Sequence, residues 1–295
     1  MAHVFTCIVW VTAFGCLLLP SAADAWGHAG HRIICEIAWL EMSSPVRREI
    51  RRILATESPR TRFTDACVWA DQVRGDERYD HLKPQHYVNV PRSSRRFDIA
   101  RSSCMTQGCV VDAVRTYADQ LDAGVSNPEA RAKALKLFAH FVADVHQPLH
   151  VAYADDRGGN DVWVRFSDAQ ALPARWSDQP TNLHRLWDSL LVDYLSSDWR
   201  SYAQALQKDV SPAERRQWAS FEPEAWAQES YELTRTVVYA LGPDQRIDRQ
   251  YLERNSRVVK AQLRKAGVRL AQQLIERLDP VRQCPTQPPA ATCWH

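Results

Sequence analysis

Apolar residues recur at helical spacing over most of this chain. Ile33, Ile34, Ile37, Ala38 and Leu40 predict a first helix over residues 27–42, stopped by Ser43, Ser44 and Pro45. An Arg-rich second helix is expected over 45–54 and a third over 64–73. Between 79 and 103 the helical period lapses, which reads as loop with HYVNV (86–90) as a short extended piece. Helices follow over 110–121 and 128–146, separated by a turn at 124–127. DDRGGN (155–160) reads as a tight glycine loop, and 162–166 alternates as a short strand. Helical patterns then cover 182–195, 199–208, 212–218, 223–241 and 248–278. The last is long and amphipathic, its Arg and Lys residues reading as a solvated face on a core-packed helix. Without an internal repeat, the economical architecture is one mainly α domain with a short strand segment.

Both ends change the picture. Residues 5–20 form an apolar run too short for a comfortable membrane span, and Ala23 and Ala25 fit small-residue cleavage, so 1–25 is expected to be a signal peptide. No later stretch has spanning length, so no membrane anchor is expected and the localisation is periplasmic or secreted. The working domain would be 26–280, with a Pro-rich, Cys-containing tail at 281–295. Eight cysteines become six once Cys7 and Cys16 leave with the leader, and an even count in an exported chain favours disulfides. Cys104 and Cys109 are close enough to close a small loop, as are Cys284 and Cys293. Cys35 and Cys67 could be a third pair or two buried thiols. The net charge of +2 excludes the basic excess of a protein that grips long duplexes.

The candidate chemistry centres on LFAHFVADVHQPLHV (137–151). On a helix His140 and Asp144 share a face, and Pro148 bends the chain just before His150. A carboxylate there needs compensation, which a divalent metal can supply because imidazole nitrogen and carboxylate oxygen are good zinc ligands. The pattern recurs with His184 and Asp188 in NLHRLWDS, and Trp26 and His31 in WGHAGH, Asp71 in WADQVR and His86 in HYVNV add further donors. His146 lies about 200° round the helix from Asp144 and reads as a packed or hydrogen-bonded histidine, as do His28 and His81. Arg74, three residues beyond Asp71, is either a charge stabiliser for a transition state or a surface ion-pair partner.

In order, WG..GH, WAD, HYVNV, HF..DVHQPLH, GGN and H-x3-D resemble the zinc-dependent single-strand nucleases and 3'-nucleotidases of the S-one/P-one or mung-bean type, over nearly the whole mature chain. The resemblance implies a helical zinc phosphodiesterase fold and three zinc ions. Asp71, His86, His140 and Asp144 would hold the first, and His150, His184 and Asp188 the second. His31, the bridging Asp144 and the amine and carbonyl of Trp26 would hold the third. It further implies that Asp71 orients the attacking water, that Tyr87 stacks on the base 5' to the cut, and that Asn160 holds phosphate or nucleotide. Asn89 stands where fungal relatives tend to carry an acidic residue against the base edge. The implied substrates are single-stranded DNA and RNA and 3'-nucleotides, cut by a monomer to 5'-phosphate products.

Two rival readings share part of this pattern. A zinc-dependent phospholipase C has a similar fold and Trp-led cluster but typically closes its second site with H-x3-E, where this chain has Asp188. A secreted zinc-binding protein without turnover needs neither a bridging carboxylate nor a glycine loop.

Overall fold

The structure, a computed structural model, describes residues 26–122, 127–168, 172–176 and 180–283. The expected leader, most of the expected 124–127 turn, and Cys284 and Cys293 lie outside the described residues. The mainly α reading holds. Helices α1 (His28–Glu41), α2 (Ser44–Ala55), α3 (Phe63–Ala66) and α4 (Trp69–Gln72) lead to strand β1 (Val88–Val90). Then come α5 (Cys104–Gln107), α6 (Val110–Asp122), α7 (Pro128–Asp144), β2 (Val151–Tyr153), β3 (Trp163–Phe166) and β4 (Thr181–Asn182). The C-terminal part comprises α8 (Leu183–Arg185), α9 (Leu191–Leu195), α10 (Trp199–Lys208), α11 (Pro212–Gln217), α12 (Pro223–Leu233), β5 (Arg246–Ile247), α13 (Arg249–Leu278) and α14 (Pro280–Gln283).

At the centre stands α7. Asn127 caps it by accepting from the Glu129 and Ala130 amides, and Pro128 takes the first turn, where its missing N–H costs nothing. Every residue from Ala134 to Asp144 is buried, so beyond its first turns this helix has no solvent face and packs among its neighbours on all sides. Phe138 and Phe141 are fully buried, each contributing about 1.5–3 kcal/mol of apolar transfer. Helices α1 and α13 approach so closely that a Cβ on Gly267 would meet Ile37 Cγ2 at 2.5 Å. Only glycine fits at that crossing.

Three expectations need correction. The helix expected over 64–73 is split into α3 and α4: the Val68 amide reaches back only three residues, to the Asp65 carbonyl, and the Cys67 carbonyl accepts from the His140 side chain. The stretch from 79 is not plain loop: Glu77–His86 winds as 3-10 turns and Ile99–Arg101 as another. Such short tight turns carry no 3.6-residue period to read. The basic face of α13 is not wholly solvated, since Arg269 is buried at 3 % exposure. Two expected helices also contain a π turn, at Leu186–Leu190 and Thr234–Val238. Cys35–Cys67 and Cys104–Cys109 are both disulfides, which decides the question left open for Cys35 and Cys67.

Candidate metal centre

Short pairings deliver the donors to one place. Strands β1 and β2 run parallel, with Val88 opposite Val151, and each follows directly on a histidine segment. His86 and His150 are thereby brought together, and the His150 Nδ1–H donates to the His86 carbonyl at 2.7 Å. Helix α7 supplies His140 and Asp144 from its last turns. The π turn after α8 supplies Asp188, and the Gly27 amide at the start of α1 donates to the Asp188 carbonyl at 2.8 Å, docking Trp26 and His31 beside it. The Trp26 indole, fully buried, donates to the Ala143 carbonyl at 3.0 Å.

Asp144 sits in the middle. Its Oδ2 is 3.0 Å from His86 Nδ1 and 3.2 Å from His140 Nε2, while its Oδ1 is 3.4 Å from His31 Nε2 and 3.5 Å from His150 Nδ1. Asp71 lies 3.7 Å from both His31 and His140 and 3.8 Å from His86. Three sets could each hold a cation: His31, His140 and Asp144; Asp71, His86 and His140; and His150, His184 and Asp188, with ligand atoms within 4.8 Å of one another. The His31 and His140 rings stack at 4.0 Å, so the geometry groups His31 with His140 as well as with Asp144. The apparent fourth set, Cys104, Cys109 and Asp112, offers no thiolate because its cysteines are bonded to each other.

The donors fit a metal because they are left unsatisfied. Both nitrogens of His31, both oxygens of Asp71, His86 Nε2, Asp144 Oδ1 and Asp188 Oδ2 are buried without a hydrogen-bond partner. Such orphans are costly unless something else engages them. The other edges of the rings are fixed: His140 Nδ1–H donates to the Cys67 carbonyl at 2.8 Å and His184 Nδ1–H to the Gly158 carbonyl at 2.7 Å. Each of these bonds sets the tautomer and leaves Nε2 facing the cluster. Gln147, which sequence reasoning missed, donates to Asp188 Oδ1 and accepts from the Leu149 amide.

The charge balance points the same way. Burial opposes ionisation of Asp144, yet His140 and His150 outweigh it and hold the carboxyl well below the usual range. Burial also pushes His140 down, but Asp144 and Asp71 reverse this and raise it to about 9. Burial prevails at His86, which falls to about 4. Three carboxylates, on Asp71, Asp144 and Asp188, are buried together here and call for positive charge beside them.

Three histidines of the cluster, His86, His150 and His184, line a cleft of about 660 Å³ whose walls also include Tyr87, Asn89 and Asn160. Asn160 Nδ2 donates to the Arg157 carbonyl at 2.9 Å, within the loop where Gly158 and Gly159 have φ of 63° and 82°. Arg74 lies past the end of α4 rather than on it, with its guanidinium 3.5 Å from Asp71 Oδ1, so it both lines the cleft and forms an ion pair. Arg157, Trp163 and Arg185 also line the cleft and were not foreseen. For Trp163 a signal existed. With Val162 and Val164 turned inward, the alternation of the strand puts Trp163 on the outer face.

Known proteins resemble the chain along most of its length. It is 29% identical to Endonuclease 2 of Arabidopsis thaliana over 268 residues, 83% of this chain and 88% of that protein. It is 27% identical to Nuclease S1 of Aspergillus oryzae over 202 residues, 66% of each. Nuclease P1 of Penicillium citrinum is 27% identical over 194 residues, 63% of this chain and 67% of that protein. The family described as S1/P1 Nuclease matches residues 26–279, a span that contains every donor of the cluster and every residue of the cleft; the chain belongs to that family and is a hydrolase of phosphodiester bonds in nucleic acid.

Proposed function

We propose that the protein is an exported endonuclease that hydrolyses single-stranded DNA and RNA to 5'-phosphate products, releases phosphate from 3'-nucleotides, and works with three zinc ions. The observation that carries this reading is the set of unsatisfied, buried imidazole and carboxylate atoms converging on Asp144 beneath a cleft bearing Tyr87. Asp71, His86, His140 and Asp144 hold one ion, and His150, His184 and Asp188 a second. His31, Asp144 and the backbone of Trp26 hold a third, once cleavage after Ala25 frees the Trp26 amine. When bound, the ions supply Lewis-acid charge and bring the pKa of water towards about 7.

The rest is done by the chain. Asp71 accepts a hydrogen bond from the attacking water and aligns it with phosphorus. Arg74, held 3.5 Å from Asp71, places positive charge at the cleft where the phosphoryl oxygens gain charge. Asn160 positions the phosphate or sugar from the glycine loop. Tyr87 stacks on a base, which favours unpaired strands because a base inside a duplex cannot offer its face.

The test is zinc content on correctly processed protein, paired with rates on single-stranded DNA, RNA, a 3'-mononucleotide and phosphatidylcholine. Close to three zincs with single-strand cleavage and phosphate release from the 3'-nucleotide is the expected result. Phosphatidylcholine as the better substrate, or zinc without turnover, overturns it.

A further inference from the structure

Among the described residues only two large apolar side chains are conspicuously exposed, Met105 and Trp163, the latter at 58 %. An indole in water is unusual in a chain whose Trp26, Trp187 and Trp226 are fully buried. Its backbone is held firmly. Trp163 pairs with Asn182 across the antiparallel β3–β4 ladder, and Val164, next in line, turns into the core. That ladder runs into α8, so Trp163 stands on the same wall as the donor His184 and, one residue further, Arg185. Asn160 precedes it by three residues, a reach of at most about 11 Å. The ring therefore faces the cleft near the cluster without being part of it.

We propose that Trp163 is a second base-stacking platform, holding a nucleobase next to the nucleotide engaged at Tyr87, so that the cleft grips two successive units of a single strand. This rests on the reading of the cleft as a nuclease site given above. An indole is suited to the role: it offers a broad π-face that accepts any base, and with two side-chain torsions it loses little entropy on binding. The cation of Arg185 on the same wall suits a ligand carrying phosphate and disfavours a purely apolar one.

The test compares wild type, W163A and W163F as zinc-loaded proteins on a single-stranded oligothymidylate hexamer and on a 3'-mononucleotide, which fills one base position only. In W163A the ratio of kcat/KM on the hexamer to that on the mononucleotide is expected to fall about 5- to 100-fold, carried by KM. W163F is expected to restore most of it. An unchanged ratio in W163A, with wild type cutting the hexamer, overturns the assignment of Trp163 alone. Equal losses on both substrates accompanied by loss of zinc would make the residue structural and also overturn it. Wild-type protein that cuts neither substrate overturns the underlying reading of the cleft, and this proposal with it.

Discussion

His140 and His146, six residues apart, enter two buried polar clusters of opposite character. His146 Nδ1–H donates to the Val142 carbonyl at 2.7 Å, and its Nε2 accepts from Arg269 at 2.9 Å. Arg269 in turn makes two bonds of 2.9 Å to Glu229, which Lys265 joins at 3.0 Å, and Gln262 closes the His146 carbonyl at 2.8 Å. One nitrogen in that group, Arg269 Nε, lacks a partner. Around His140, by contrast, seven atoms on His31, Asp71, His86, Asp144 and Asp188 lack one. Buried histidine is common to both clusters. Unfinished hydrogen bonding is concentrated in one, the cluster whose side chains could hold cations.

The comparison can be broken or sharpened, starting with the largest effect. Asp144→Asn removes the charge that all the surrounding histidines face. It is expected to cost more than one zinc by elemental analysis and well over about 100-fold in rate, beyond what loss of an outer partner causes. Two tightly held zincs with near-normal turnover would rule out a central role.

Gly158→Ala strikes an outer partner. Gly158 has φ of 63°, and an added Cβ would lie 2.7 Å from the Leu149 carbonyl, so the loop must shift and carry the His184 acceptor with it. Affinity at the His150, His184 and Asp188 site should fall about 10- to 100-fold in a zinc titration, with the fold intact by circular dichroism.

Arg269→Leu belongs to the finished cluster. It should lower stability by about 1–3 kcal/mol in urea unfolding while zinc content stays constant. Loss of zinc in this variant would merge the two clusters into one unit.

The smallest effect is in pH. Burial works against ionisation of Glu229, but Arg269 and Lys265 prevail and hold it at about 2. A depressed carboxyl contributes stability that is fully present above its unfolded value of about 4.3 and is lost as pH falls towards 2. Because Glu229 is 39% exposed, solvent screening limits this to about 1 kcal/mol or less. The stability gap between wild type and Glu229→Gln should accordingly narrow between pH 5 and 3, whereas a gap independent of pH would show that charge is not what Glu229 contributes.

Local pattern carried much of this molecule. Periodicity placed α1, α2, α6, α7, α10 and α13 to within a few residues, because each buries an apolar stripe whose spacing is written in the chain. The pairs His140/Asp144 and His184/Asp188 were visible as i, i+4 repeats, and the angle between Asp144 and His146 foretold that His146 would turn elsewhere. Tertiary structure alone decided what depends on distant partners. The break between α3 and α4 follows from the Cys35–Cys67 disulfide and the bond from His140 to the Cys67 carbonyl. Arg269 is buried because Glu229 and His146 await it, although its spacing on α13 matches that of solvated arginines. Periodicity reports a residue's own helix or strand and is blind to what packs against it. The convergence of His31, Asp71, His86, Asp144, His150 and Asp188 is a property of the packed chain, set by the β1–β2 pairing, the Gly27–Asp188 bond and the all-round burial of α7.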